Sequence, residues 1–214
     1  MSVDVKICGL STPETVAAAA EAGAAYLGFM FFEPSPRNLS IQAATGLSSH
    51  VPKGPGRVGV FVDADDALID SAIDALELNW LQLHGKESPN EVARLKERTG
   101  LKVMKAIGVS NVADVDRSKE FFDVADAMLF DAKPPKGSVL PGGNAVSFPW
   151  AIMQQALLPQ KWMLAGGLNP DNLAEAVKLS QAAILDVSSG VESAPGVKSK
   201  SLIEAFLRAA KAAR

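Results

Sequence analysis

Residues 80–107 decide the fold. They read Trp80-Leu81-Gln82-Leu83-His84, then Gly85-Lys86-Glu87, then Ser88-Pro89-Asn90-Glu91-Val92-Ala93-Arg94-Leu95-Lys96-Glu97-Arg98-Thr99-Gly100, and on through Leu101 to Lys102-Val103-Met104-Lys105-Ala106-Ile107. The short apolar run Trp80–His84 reads as a strand. Ser88–Thr99 has the composition and period of a helix and stops at Gly100. Lys102–Ile107 is a second apolar run. A strand, a helix and another strand within about 30 residues make a βαβ unit, which pairs its strands in parallel.

The same alternation extends in both directions. Upstream it gives strands Val3–Cys8, Ala25–Met30 and Arg57–Val62. Each is followed by a helix: Pro13–Ala22 (opened by Ser11 or Thr12), Ser40–Ser49 and Ala64–Leu76. Downstream come a weaker helix over Asn111–Phe121, strand Asp126–Asp131, a long loop and helix Phe148–Leu157. Strand Lys161–Ala165, helix Pro170–Leu179, strand Ala182–Val187 and helix Ser199–Ala212 complete the chain. Eight such units predict an α/β fold, a single-domain (βα)8 TIM barrel over residues 1–214. A doubly wound open sheet is the rival arrangement.

Composition agrees with one folded domain. The 214 residues are 48% apolar and 21% charged, which excludes a disordered chain. Lys+Arg number 21 against 24 Asp+Glu, a net charge of -3. Neither nucleic acid nor a membrane surface is an expected partner of such a charge balance. One cysteine and two histidines (His50 and His84) point away from a disulfide framework and a metal centre. The first residues carry charges where a signal peptide needs apolar ones, and the longest apolar run, Ala22–Phe32, is too short to span a bilayer. A soluble, cytoplasmic protein is expected.

In a barrel, chemistry collects at the C-terminal ends of the strands. Period-2 alternation puts Asp4, Lys6 and Cys8 on one strand face and Val5 and Ile7 on the other, so Cys8 looks into the barrel mouth. Lys6 either steadies a Cys8 thiolate or forms an ion pair inside the barrel. Asp131 closes strand six after an apolar run, as a general acid or as a cap on the following loop. Gln82 and His84 share an inward face of strand four, where two polar groups suit a site better than a packed core. Arg37, after Ser35-Pro36, offers a planar fork to a carboxylate or phosphate, or is a solvated surface residue. Gly166-Gly167 after strand seven, and Ser188-Ser189-Gly190 after Asp186 and strand eight, sit where barrels often hold a phosphate. Gly54-Pro55-Gly56-Arg57-Val58-Gly59 has a dinucleotide-like spacing but precedes a strand instead of opening a helix, and is set aside.

Together these residues resemble the phosphoribosylanthranilate isomerases of tryptophan biosynthesis. The resemblance runs through Val5-Lys6-Ile7-Cys8-Gly9-Leu10, Leu27-Gly28-Phe29-Met30-Phe31, Ser35-Pro36-Arg37 and Val58-Gly59-Val60-Phe61. It continues in Leu81-Gln82-Leu83-His84-Gly85, Leu129-Phe130-Asp131, Leu164-Ala165-Gly166-Gly167-Leu168, Asp186-Val187-Ser188-Ser189-Gly190-Val191-Glu192 and Pro195-Gly196-Val197-Lys198. It implies an Amadori rearrangement of N-(5-phosphoribosyl)anthranilate to 1-(2-carboxyphenylamino)-1-deoxyribulose 5-phosphate. Cys8 would be the general base and Asp131 the general acid. Arg37, Gln82, His84 and Asp186 would bind substrate, with Arg37 on the anthranilate carboxylate. Gly166, Gly167, Ser188, Ser189 and Gly190 would hold the phosphate. No metal or organic cofactor is implied, and family members are monomers or homodimers. The phosphate-binding barrels of histidine biosynthesis are the nearest rivals, but Val62-Asp63-Ala64-Asp65 and His84-Gly85-Lys86-Glu87 lack their second glycine pair.

One stretch departs from the family pattern Gly-Gly-Thr-Gly-x-x-Phe-Asp-Trp. Here Gly142-Gly143-Asn144-Ala145-Val146-Ser147-Phe148-Pro149-Trp150 has Ala145 for a glycine and Pro149 for an aspartate. Residues 132–147 form a long connection, expected to serve as a moving lid. Pro149 is expected in the first turn of the next helix.

Overall fold

The computed structural model describes residues 3–134, 137, 142–143 and 147–213. Eight parallel strands close on themselves in sequence order. They are β1 (Asp4–Cys8), β2 (Tyr26–Phe31), β3 (Gly56–Phe61), β4 (Trp80–Leu83), β5 (Lys102–Val109), β6 (Ala127–Ala132), β7 (Trp162–Leu164) and β8 (Ile184–Val187). Pairing of β1 with both β2 and β8 closes the ring and rules out the open sheet. The helices are α1 (Pro13–Glu21), α2 (Ile41–Leu47), α3 (Asp66–Leu76), α4 (Pro89–Thr99), α5 (Val112–Asp116), α6 (Leu173–Ser180) and α7 (Lys200–Ala212).

Local chemistry sets the helix ends. In α4 the Ser88 hydroxyl accepts from the Glu91 N–H while the Glu91 carboxylate accepts from the Ser88 N–H, and Gly100 ends the helix in a left-handed conformation. Thr12, Ser40, Asp65, Asn111 and Ser199 cap α1, α2, α3, α5 and α7 in the same side-chain-to-backbone manner.

Alternation along the strands divides the core in two. Val5, Ile7, Leu27, Phe29, Phe130, Leu164 and Leu185 face the helices and join the large outer core. Cys8, Val58, Val60, Trp80, Met104, Leu129, Met163 and Ile184 point inward and fill the barrel. A filled interior leaves the strand ends as the place for a cavity.

Four expectations change. The segment Phe148–Leu157 is a 3₁₀ turn over Trp150–Gln155 instead of an α-helix. Its buried residues, Trp150 and Met153, are three apart, which suits three residues per turn. Pro149 is the residue before that turn, one position earlier than expected. The weak helix Asn111–Phe121 is α5 followed by a 3₁₀ stretch over Arg117–Phe121. A short hairpin of β9 (Glu192–Ala194) and β10 (Val197–Lys198) follows β8, where no strands were expected. Gly56 and Gly59 lie within β3, so the dinucleotide-like spacing does open onto a strand.

Asp114 fastens α5 to the mouth. It accepts from the Ser110 N–H at 2.8 Å, the Ser110 hydroxyl at 2.6 Å and Arg117 at 2.6 Å, and it faces Lys133, two residues beyond Asp131, at 3.5 Å. Burial acts to raise its carboxyl, but these partners outweigh it and the pKa falls to about 2. A carboxylate depressed in the folded state contributes stability above its unfolded pKa, and that stability is lost as pH falls through the folded one. Asp114→Asn is therefore expected to lower stability by about 2 kcal/mol at neutral pH. Urea unfolding should show the gap closing as pH drops from about 4 towards 2. A gap that stays constant over that range would show that the bonds lost are not those of the charged carboxylate.

Candidate active site

At the C-terminal end of the barrel lies a cavity of about 750 Å³, counting its open mouth. Cys8, Arg37, Gln82, His84, Asp131, Gly166, Gly167, Asp186, Ser188 and Ser189 all line it. These residues come from six different strand ends, and closure of the sheet is what brings them together.

Cys8 ends β1, buried and without a disulfide. Two residues below it Lys6 is fully buried, with its Nζ 2.9 Å from Asp186 Oδ1 on β8. The sequence left Lys6 open between an ion pair and a thiolate partner, and its position serves both. Burial acts to lower the Lys6 pKa, but Asp186 and Cys8 outweigh it and hold the ammonium charged. Burial pushes the Cys8 thiol above its ordinary value; Lys6 pulls it down, Asp186 pushes it up and Lys198 pulls it down.

Asp131 lies on β6. Its Oδ1 accepts from the Ala132 N–H at 2.8 Å, a local cap on the following loop, while Oδ2 faces His84 Nε2 at 3.5 Å. Gln82 Nε2 is 2.9 Å from His84 Nδ1. With the amide in this orientation its nitrogen donates, so the imidazole proton sits on Nε2, towards Asp131. Gln82 Oε1 is buried with no partner among the described residues. Gly142 passes so close over Asp131 Oδ2 and His84 Nε2 that a Cβ there would overlap both.

Arg37 is 6% exposed, so the solvated-surface reading is wrong. Its fork is not wholly free either. Nε and Nη2 donate to the two carboxylate oxygens of Glu192 at 2.7 and 2.8 Å. Among the described residues Nη1 has no partner.

The loops after β7 and β8 supply the main chain of the cavity. Gly166 and Gly167 both have positive φ, +92° and +65°, and among the described residues no acceptor takes their N–H groups. Asn172 Nδ2 donates to the Gly167 carbonyl at 2.9 Å and fixes the turn. Unpaired amides in a fixed turn form an anion-binding concavity. Gly190 does not line the cavity. It lies against the Leu168 carbonyl so tightly that any side chain would collide, and the second loop packs on the first there.

The family model for N-(5'phosphoribosyl)anthranilate (PRA) isomerase matches residues 5–209. The chain belongs to this isomerase family. The N-(5'-phosphoribosyl)anthranilate isomerase of Paramagnetospirillum magneticum is 51% identical over 214 residues, all of both chains. That of Parvibaculum lavamentivorans is 52% identical, again over all of both. Among solved structures, the phosphoribosyl anthranilate isomerase of Thermotoga maritima is 34% identical, with a TM-score of 0.86 over 98% of this chain and 99% of that one. A phosphoribosyl anthranilate isomerase in complex with reduced 1-(o-carboxyphenylamino)-1-deoxyribulose 5-phosphate is 33% identical, with a TM-score of 0.83 over the same shares.

Two features of this isomerase's cavity escaped the sequence reading. Met30 and Phe32 form an apolar wall beside Arg37, and their spacing of two already places them on one face of the chain. Glu192 bonds Arg37 and Lys198 bonds Glu192, from 155 and 161 positions beyond Arg37, a distance that no local pattern spans. Most of residues 132–147, Ala145 among them, lie outside the described residues, as does the lid reading placed on them.

Cys8 is the single cysteine of the chain, so its reactivity can be read without background. Iodoacetamide reacts with the thiolate. Because the Cys8 pKa is raised, the alkylation rate is expected to keep climbing above about pH 8.5, the free-cysteine value. A rate that levels off near neutrality would contradict that environment.

Proposed function

We propose that Cys8 and Asp131 carry the two proton transfers of this isomerase. The reaction is the Amadori rearrangement of N-(5'-phosphoribosyl)anthranilate to 1-(2-carboxyphenylamino)-1-deoxyribulose 5-phosphate, a step of L-tryptophan biosynthesis. The observation that carries the assignment is the order of groups around the mouth. Asp131 stands on β6, the glycine loops follow β7 and β8, Cys8 stands on β1 and Arg37 follows β2. A phosphate on the two loops puts the sugar between acid and base. The anthranilate ring then runs along Met30 and Phe32, with its carboxylate towards Arg37.

Asp131 in its acid form donates its proton to the furanose ring oxygen, and the bond from that oxygen to C1 breaks. The nitrogen lone pair fills the gap and an iminium forms. Its positive charge acidifies the proton on C2, which the Cys8 thiolate removes to leave an enolamine. Proton return to C1 and loss of the enol proton give the ketone, with atoms and charge conserved. Lys6 and Lys198 favour the thiolate in a place where burial opposes it.

The substrate is a small diffusible phosphosugar, and among the described residues no helix is long and apolar enough to cross a membrane. A cytoplasmic enzyme, monomeric or homodimeric, is the reading that suits such a substrate. A relative from Thermotoga maritima, 34% identical, is described as a dimeric isomerase from which monomers were made.

Cys8→Ser is expected to lower kcat by about 10²–10⁴-fold, the usual worth of a proton transfer, with KM close to the parent's. Asp131→Asn should do the same, because an amide has no proton to give. Turnover near the parent rate in either variant would remove that residue from its role. Inorganic phosphate is expected to inhibit competitively through the Gly166-Gly167 and Ser188-Ser189 loops. Noncompetitive inhibition, or none, would place the phosphate elsewhere.

A further inference from the structure

Arg37, Glu192 and Lys198 form a buried cluster at the edge of the cavity, their side chains 6, 3 and 1% exposed. Glu192 accepts two bonds from Arg37 and one of 2.5 Å from Lys198. Burial acts to raise the Glu192 carboxyl, but its bonds to Arg37 and Lys198 outweigh this and keep it ionised. Two cations and one carboxylate leave the cluster a net charge of one positive unit. Without Lys198, Glu192 would cancel the charge of Arg37.

The cluster also reaches the phosphate loop. Lys198 Nζ donates to the Ser188 carbonyl at 3.1 Å and to its hydroxyl at 3.2 Å, and the Ser188 hydroxyl donates to the Cys8 carbonyl at 3.1 Å. The β9–β10 hairpin pairs Lys198 with Glu192, and the Gly196 N–H at its tip donates to Glu192 Oε2 at 3.2 Å. A hairpin outside the barrel thus sets the position of a side chain inside its mouth.

We propose that Glu192 and Lys198 are positioning residues that set substrate specificity. Glu192 aims the Nη1 edge of Arg37, which has no partner among the described residues, at the substrate carboxylate. Lys198 restores the positive charge that Glu192 removes and ties that edge to the Ser188 loop. The two anionic ends of the substrate, carboxylate and phosphate, are thereby read at a fixed separation. This rests on the assignment of Arg37 to the carboxylate.

The test is steady-state kinetics with the substrate and with a phosphoribosyl aniline that lacks the carboxylate, alongside inhibition by inorganic phosphate. Glu192→Gln raises the cluster charge to two positive units, so anion attraction persists while aim is lost. KM for the substrate is expected to rise about tenfold or more, as misplaced contacts commonly cost. kcat should stay close to the parent's, and the aniline compound and inorganic phosphate should bind no more weakly than to the parent. Lys198→Met neutralises the cluster and should weaken substrate and phosphate together. Glu192→Asp, which keeps charge but loses reach, should give an intermediate KM. If Glu192→Gln does not fold, Glu192→Asp decides the matter: a parent-like KM in that variant overturns the proposal. Arg37→Ala separates the two layers of the argument. If it discriminates between the two compounds and Glu192→Gln does not, positioning by Glu192 is wrong while the reading of Arg37 stands. If neither variant discriminates, the reading of Arg37 fails and the proposal with it.

Discussion

An ammonium with no exposure to water sits inside the barrel, held by one carboxylate on the neighbouring strand. Lys6 and Asp186 are register partners on β1 and β8, the first and last strands of the ring, with their charged atoms 2.9 Å apart. Removing either partner would strand the other's charge in the interior, at a typical cost of about 3–5 kcal/mol. Much of the site is stacked above this pair. Cys8 is two residues beyond Lys6 and Ser188 two beyond Asp186, and the Ser188 hydroxyl bonds the Cys8 carbonyl. Lys198 rests on Ser188, and Glu192 and Arg37 follow. The seam that closes the fold is also the axis along which Cys8, the loop after β8 and Arg37 are aligned.

That alignment addresses a problem intrinsic to the chemistry. A buried thiol resists ionisation, yet abstraction of a carbon-bound proton, the role proposed for Cys8, needs a thiolate. Lys6 lies below Cys8 and Lys198 beside it, and both act against the burial penalty, while Asp186 limits what Lys6 can give. Asp131 is built differently. One oxygen is fixed by the Ala132 amide and the other faces His84. Gln82 Nε2 lies 2.9 Å from His84 Nδ1 and holds the ring in place. The proposed acid and base therefore differ in surroundings as well as in residue type, and they stand on opposite sides of the loops after β7 and β8.

The strands were legible because burial on a closed sheet enforces a period of two. The inward faces of Lys6 and Cys8 and of Gln82 and His84 follow from alternation in Val3–Cys8 and Trp80–His84, and Asp131 from its place at the end of Asp126–Asp131. The glycine loops were legible because a backbone turning at positive φ asks for glycine, as it does at Gly166 and Gly167. Partnerships that depend on folding at long range were not. Arg37 looked like a free fork because nothing near it in sequence predicts Glu192 across the mouth. Trp150–Gln155 looked α-helical because composition does not distinguish a 3.6-residue period from a three-residue one over two turns. The segment ends after six residues at Ala156, whose backbone is extended. The hairpin of β9 and β10 is too short to show a period of any kind.

The central claim is that two residues divide the reaction, Asp131 opening the ring and Cys8 removing the proton from C2. The most direct test is the kinetic isotope effect on kcat with substrate deuterated at C2, measured in the parent, Cys8→Ser and Asp131→Asn. Weakening the base makes C–H cleavage limiting, so Cys8→Ser should show a full primary isotope effect. Weakening the acid makes ring opening limiting, so Asp131→Asn should show an effect close to unity. A full effect in Asp131→Asn with none in Cys8→Ser would contradict the assignment and exchange the two roles.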